Sequence, residues 1–211
     1  MQDTEIVIVA AGPGPPIAVA PAATVIAADG GLQRAYALGL GVDAVIGDLD
    51  STTEEALARA EREGARIVAY PTAKDATDLE LALDEALALA ARRVLLVASA
   101  EGRLDHVLAS LLLLGSERYA GLELDARVGE AHVHVVRTHR LLNGEPGELV
   151  SLFALGGPAE GVTTRGLEYA LQGETLEPGS SRGVSNVFVS PEASVTVARG
   201  TVLAVRPGSP T

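Results

Sequence analysis

Acidic residues recur where short β-branched runs end. Asp29 follows Val25-Ile26-Ala27-Ala28, Asp48 and Asp50 follow Ala44-Val45-Ile46-Gly47, Asp75 and Asp78 follow Arg66–Tyr70, and Asp105 follows Val94–Ser99. If those runs are parallel strands, all of these carboxylates stand along one edge of a sheet, the edge at which open α/β folds bind ligands. Like charges gathered there raise one another's pKa and oppose folding, and a hard cation relieves that repulsion. Mg²⁺ typically takes one or two protein carboxylates and fills its other positions with water and substrate phosphates. Asp48-Leu49-Asp50, two carboxylates on one tight turn, therefore points to metal-assisted transfer of a phosphorus group. Zinc prefers His or Cys ligands and fits less well. Lys74 and Arg103 fall on the same edge, where they would meet phosphate oxygens and the charge moving toward a leaving group. Gly12-Pro13-Gly14 and Gly30-Gly31 would let backbone approach a ligand closely, although no G-x-x-x-x-G-K-[ST] phosphate loop is present.

Each of these turns also has a plain structural explanation. Ser51 with Glu54, and Thr77 with Glu80, match the S/T-x-x-E box that starts helices. Arg103 has Asp105 within reach as an ion-pair partner, Lys74 would be content in solvent, and the glycines suit turns. Capping alone does not account for several acidic turns converging on one edge. A metal site of another kind would use His132 and His134, on one face of a strand, with His139; no acidic partner lies near them in sequence. His106, beside Asp105, would support the acidic edge from behind.

The elements that must hold these residues read as alternating strands and helices. Strands are expected at Ile6–Ala10, Thr24–Ala28, Ala44–Ile46, Arg66–Tyr70 and Val94–Ser99, and helices at Leu32–Leu38, Thr53–Glu63, Thr77–Ala91 and Leu104–Leu114. Gly39, Gly64 and Gly115 are placed to stop three of the helices in the left-handed conformation. Near residue 120 the pattern changes to strands and turns: Leu122–Val128, Ala131–Val136, Glu148–Leu155, Glu168–Leu171, Val184–Val189 and Ser194–Val205. The expected fold class is thus α/β, a parallel-sheet N-terminal domain over residues 1–138 with flanking helices, followed by a small all-β, sandwich-like domain over residues 139–211. Residues 207–211 read as a short disordered tail.

Composition narrows the function. At 211 residues and 47% hydrophobic content the chain can bury a sizeable core. With only 3% aromatic residues and no Trp, that core is built from Ala, Val, Leu and Ile, and stacking surfaces for flat ligands are scarce. A net charge of −12 argues against DNA or RNA partners, which need a basic stripe. Lys74 is the single Lys among 16 basic residues, a skew that codon bias toward Arg explains. The absence of Cys removes disulfides, thiolate nucleophiles and Cys-based metal sites. Met1–Glu5 lacks a basic signal region and the apolar runs are too short for a bilayer, so a cytoplasmic protein without membrane attachment is expected.

Ala28-Asp29-Gly30-Gly31, Gly47-Asp48-Leu49-Asp50-Ser51, Asp75-Ala76-Thr77-Asp78, Gly102-Arg103-Leu104-Asp105-His106 and Ser185-Asn186 occur in the order seen in thiamine pyrophosphokinases, and the chain resembles that family over nearly its whole length. The resemblance implies transfer of a pyrophosphoryl group from ATP to the hydroxyl of thiamine, with Mg²⁺ as cofactor and AMP leaving. It also implies a homodimer whose N-terminal domain binds ATP while the partner's C-terminal domain helps hold thiamine. By motif, Asp48, Asp50 and Asp78 would be metal-linked. Asp29, Gly30, Thr77, Arg103 and Asp105 would line the nucleotide site with Lys74 beside them, and Ser185 and Asn186 would contact the thiamine pyrimidine. Arg103 would stabilise developing charge; Asp78 is the expected proton acceptor, with Asp50 its rival. Two departures stand out. Glu101 occupies a position that is often Gly in the Arg103 motif, and no Trp is available to stack thiamine, leaving Phe188 or Tyr169. A pyrophosphokinase acting on a pterin alcohol, or an inactive nucleotide- or thiamine-binding module, are the competing readings.

Overall fold

Runs of Val, Ile and Ala without polar interruption form strands covered on both faces, as parallel sheets require. In the computed structural model, which describes residues 5–17, 19 and 23–208, β1 (Glu5–Val9), β2 (Thr24–Ala28) and β3 (Ala44–Gly47) are such strands, and Ile6, Val7, Ile8 and Val9 have no solvent exposure at all. With β4 (Arg66–Ala69), β5 (Arg93–Ala98) and β6 (Glu123–Val128) they make a sheet in the order β4-β3-β2-β1-β5-β6, and every neighbouring pair is parallel. The chain steps outward from β1 to β4 and then returns to the other side of β1 as β5. That reversal is the topological switch point where such sheets bind ligands.

Helices α1 (Gly31–Ala37), α2 (Glu54–Glu63), α3 (Asp78–Ala88) and α4 (Leu104–Leu113) link these strands. In α3, Leu79, Ala82, Leu83 and Ala86 are buried at i, i+3, i+4 and i+7, the stripe that seats a helix on a sheet. Thr53 caps α2 by accepting the Ala56 N–H at 3.2 Å, so the cap lies at Thr53 and not at Ser51 as the S/T-x-x-E pattern suggests. Gly39 (φ 74) and Gly64 (φ 90) adopt left-handed conformations at the ends of α1 and α2; Gly115 is not among the residues that do. Among the described residues no helix is long and apolar enough to cross a membrane.

The described chain forms two compact units. The first runs to Leu113 and includes Gly121–Gly129; the second comprises Leu114–Ala120 and the chain from Glu130 onward. The change of unit at Gly129/Glu130 compares with an expected boundary near Thr138, because β7 (Ala131–Val136) pairs antiparallel with the last strand, β13 (Arg199–Arg206).

In the second unit β9 (Leu149–Arg165) is a 17-residue strand that serves two sheets. Its first half pairs with β13, and its second half with β10 (Gln172–Leu176) and β12 (Glu192–Thr196); β8 (His139–Asn143) pairs with β12. The register breaks between Arg199 and Thr201 of β13, where Gly156 (φ 76) and Gly157-Pro158 interrupt β9. Leu142, Val150, Leu152, Val162, Phe188, Val195 and Val202 fill the core of this antiparallel arrangement. Three strand expectations change. Glu168–Leu171 is irregular chain that starts in a bend just after an isolated bridge at Leu167, and the strand starts at Gln172. Val184–Val189 contains only a two-residue strand, β11 (Asn186–Val187). Ser194–Val205 is two strands separated at Val197-Ala198, and they do not pair with each other: β12 lies against β8 and β9, and β13 against β7 and β9. Residues 209–211 of the expected tail lie outside the described residues.

Candidate active site

The C-terminal ends of β1 to β5 open into a cleft of ≈ 460 Å³, lined by Ala10–Gly12 on one side, by Thr72, Lys74 and residues 76–79 on another, and by Ala98, Ser99, Glu101 and Gly102 at the switch point. Asp29 closes β2 in a left-handed conformation (φ 44) and is 9% exposed, with the Thr52 hydroxyl donating to its Oδ1 at 3.3 Å. Gly31 follows in a position where a Cβ would lie 1.9 Å from the Val9 carbonyl oxygen, so glycine is required there for α1 to start against β1. Gly30 is the residue before α1, with Ala11 and Ser51 packed close over it.

Asp48 leaves β3 in a turn whose next residue, Leu49, has φ 66. The Asp50 N–H donates to Asp48 Oδ1 at 3.3 Å, and the Asp50 carboxylate is exposed and accepts from the Ser51 hydroxyl at 3.0 Å. Thr77 caps α3, its hydroxyl oxygen accepting the Glu80 N–H at 3.2 Å, which makes Asp78 the first helical residue. A carboxylate in a first turn is favoured by the helix dipole. Gly47 makes room for it: a Cβ there would stand 3.0 Å from both Asp29 Cβ and Asp78 Oδ1.

One carboxylate oxygen each from Asp29, Asp48 and Asp78 lies within 4.8 Å of the others. Lys74 sits against two of them, its Nζ 3.0 Å from Asp48 Oδ2 and 2.9 Å from Asp78 Oδ1. The Asp48 contact is a hydrogen bond. The Asp78 contact is an ion pair without hydrogen-bond alignment, and it leaves Asp78 Oδ1 a buried acceptor with no hydrogen bond. The Lys74 hydrogen bond holds the Asp48 carboxyl below its ordinary range. Burial pulls the Lys74 ammonium down, but the pull of Asp78 and Asp48 outweighs it and raises its pKa. Three hard carboxylate donors converging on one point fit Mg²⁺. The grouping differs from that expected: Asp29 joins Asp48 and Asp78, and Asp50 stands outside it, because the left-handed Leu49 turns the Asp50 side chain toward Ser51.

Arg103 lines the cleft but is engaged elsewhere, donating through Nε and Nη2 to Asp105 Oδ1 and Oδ2 at 3.2 and 2.6 Å. The pair is largely solvent-exposed, and the guanidinium holds the Asp105 carboxyl at about 2. Asp105 itself is not among the lining residues, whereas Glu101, His106 and Thr77 are.

In the second unit, Asn186 is 3% exposed and its side chain is committed to backbone. Its Oδ1 accepts the Tyr169 and Val187 N–H groups at 3.0 and 2.9 Å, and its Nδ2 donates to the Tyr169 carbonyl at 2.8 Å. Ser185 is left-handed (φ 56), with its N–H donated to the Ser151 hydroxyl at 3.0 Å and its side chain exposed. Phe188 is 1% exposed and belongs to the core; Tyr169 is 55% exposed.

Arg34 was not anticipated. Buried in α1, it donates to the Ala10 and Ala98 carbonyls at 3.5 Å, tying the ends of β1 and β5, while its Nε has no partner and burial lowers its pKa. Gly14 packs directly on it, since a Cβ there would fall 2.2 Å from Nη2. The sequence signal is an Arg on the buried face of α1 beside Gly31, Leu32 and Ala35.

The chain is similar to known proteins in sequence and in fold. The family profile described as "Thiamin pyrophosphokinase, catalytic domain" matches residues 18–124, and "Thiamin pyrophosphokinase, vitamin B1 binding domain" matches residues 133–202. The chain is 26% identical to a thiamine pyrophosphokinase of Bacillus subtilis (strain 168) over 166 residues, 76% of either protein. The crystal structure of thiamine pyrophosphokinase from Bacillus subtilis superposes with a TM-score of 0.85 at 24% identity, covering 98% of this chain and 100% of that one. Thiamin pyrophosphokinase from Candida albicans superposes with a TM-score of 0.74 at 14% identity, over 95% and 89%. These two superpositions show a common fold.

Proposed function

The chain belongs to the thiamin pyrophosphokinase family, and from that membership we infer that it transfers a pyrophosphoryl group from ATP to the hydroxyl of thiamine, giving thiamine diphosphate and AMP. The observation that carries this reading is the match of a catalytic and a vitamin B1 binding profile, in order, to most of the chain. The acidic cleft at the switch point supports it, and nothing in the second unit favours a pterin alcohol.

In the reaction the thiamine hydroxyl oxygen forms a bond to the β-phosphorus of ATP, the bond from that phosphorus to the oxygen bridging it to AMP breaks, and the hydroxyl proton goes to a base. The demand on the protein is alignment and charge neutralisation more than covalent chemistry. We assign Asp29, Asp48 and Asp78 as the residues that hold Mg²⁺. Bound there, the ion would neutralise polyphosphate charge. Lys74 and Arg103 contact phosphate oxygens, Arg103 by exchanging its exposed Asp105 partner for them. We assign the hydroxyl proton to Asp78, which lines the cleft, over Asp50, which stands outside the lining and accepts from Ser51. Thr77 acts by capping α3 and so fixing where Asp78 begins. On the thiamine side the exposed Ser185 hydroxyl makes direct contact and Asn186 shapes the loop that presents Tyr169, the aromatic ring available for stacking.

The same reading includes a homodimer and residence in the cytoplasm, where ATP is supplied. A second copy is supported by α4, which buries none of its residues and exposes Leu104, Leu108 and Leu112 on one face at i, i+4 and i+8.

The deciding experiment incubates the protein with ATP and thiamine, with and without Mg²⁺, and quantifies AMP and thiamine diphosphate, with a pterin alcohol in a parallel reaction. Equimolar AMP and thiamine diphosphate, dependent on Mg²⁺, is the expected result. Product from the pterin alone, or nucleotide binding without AMP, would sink the assignment.

A further inference from the structure

Lys74 occupies the carboxylate group more completely than a phosphate ligand needs to. Its side chain is 14% exposed, and the two carboxylates it touches are 11% exposed at Asp48 and 26% at Asp78. These are two of the three residues whose oxygens converge. An ammonium there offsets one negative charge of three and competes with a divalent ion for the Asp48 and Asp78 carboxylates. Two cations held against the same carboxylates repel each other, so a divalent ion binds there at the expense of the ammonium's contacts. Lys is suited to leaving, since its charge is a compact point on a flexible four-carbon stem with no fixed fork to realign. The cleft of ≈ 460 Å³ that it lines gives the displaced ammonium somewhere to go.

Building on the site reading above, we propose that Lys74 is an exchangeable internal counter-ion: it neutralises Asp48 and Asp78 until a divalent ion binds, then releases them and carries its charge to the polyphosphate in the same cleft. The metal alone must then compete with Lys74, whereas polyphosphate gives the expelled ammonium a new partner. Metal and nucleotide therefore favour each other's binding, and by linkage each does so by the same factor.

The test needs no turnover and so separates this proposal from the activity assignment. Calorimetric titration with Mg²⁺ alone is compared between the protein and Lys74→Met, with the fold of each checked by circular dichroism. Lys74→Met is expected to bind Mg²⁺ about tenfold more tightly, a change equivalent to ~1.4 kcal/mol, while its affinity for a non-hydrolysable ATP analogue falls. Unchanged or weaker Mg²⁺ binding by the folded variant overturns the proposal. Should the variant not fold, the unsubstituted protein decides. Lys74 is the chain's single lysine, so ¹⁵N-lysine labelling gives one side-chain ammonium resonance. That resonance must shift on adding Mg²⁺, and its staying fixed while Mg²⁺ binds also overturns the proposal.

Discussion

Asp29 and Asp50 exchange places between sequence and structure, and the exchange makes the site assignment testable one residue at a time. Both follow strands on the same edge, but only Asp29 presents an oxygen to Asp48 and Asp78, while Asp50 is exposed and hydrogen-bonded to Ser51. Asp29→Asn is therefore expected to lower kcat/KM by about 100-fold or more with a matching loss of Mg²⁺ affinity, since each tenfold is ~1.4 kcal/mol of transition-state stabilisation. Asp50→Asn is expected to stay within about tenfold. Steady-state kinetics across a Mg²⁺ series reads both, and the reverse order would restore Asp50 to the metal group. The convergence of acidic residues was legible because strand ends fix which edge they share. Which of them face one another was not, since that depends on the left-handed backbone at Asp29 and Leu49, a conformation Asp tolerates but that is unusual for Leu. Arg34 stayed hidden for a different reason: a buried cation hydrogen-bonded to main-chain carbonyls leaves no partner pattern in the side chains.

Helix α4 is the element whose sequence and surroundings disagree most. Leu104, Leu108 and Leu112 form the stripe that normally seats a helix on its own core, yet they are 79%, 53% and 54% exposed. If that face meets a second copy, Leu108→Glu should raise the dimer dissociation constant by about 100-fold, the scale of stranding an unpaired charge at ~3 kcal/mol. Its melting temperature as a monomer should be unaffected. Sedimentation velocity across a concentration series measures this, and a protein already monomeric before substitution removes the homodimer from the functional reading. Elements of the parallel sheet were read to within a residue or two, because each apolar run is bounded by a cap or a glycine. In the antiparallel unit the boundaries were less legible. The break at Val197-Ala198, where the chain passes from β12 to β13 on the other side of β9, carries no Asn, Pro or Gly, and Leu167 and Leu171 imitate strand alternation in a bend opened by Gly166 (φ 74).

Across the whole molecule, a net charge of −12 opposes the approach of a polyanionic nucleotide. The cleft itself offers little relief, as Lys74 and Arg103 are set against Asp29, Asp78 and Glu101 in its lining. Salt screens such repulsion over a length of about 10 Å at 0.1 M. The association rate of a fluorescent ATP analogue without divalent ions is therefore expected to rise a few-fold between about 0.02 M and 0.2 M KCl. Stopped-flow mixing reads this directly, and a falling rate would mean that the local field of the cleft outweighs the molecule's overall charge. The second unit has a consequence for how the protein is made. All strands that pair with β9, namely β10 to β13, come after it in the chain. Synthesis at about 5–20 residues per second needs some seconds to add the roughly forty residues between Arg165 and Arg206. Until then the longest strand waits with bare edges, the template on which nascent chains aggregate. Gly156-Gly157-Pro158 breaks that edge at its middle, so the kink that divides β9 between two sheets also guards it while it waits.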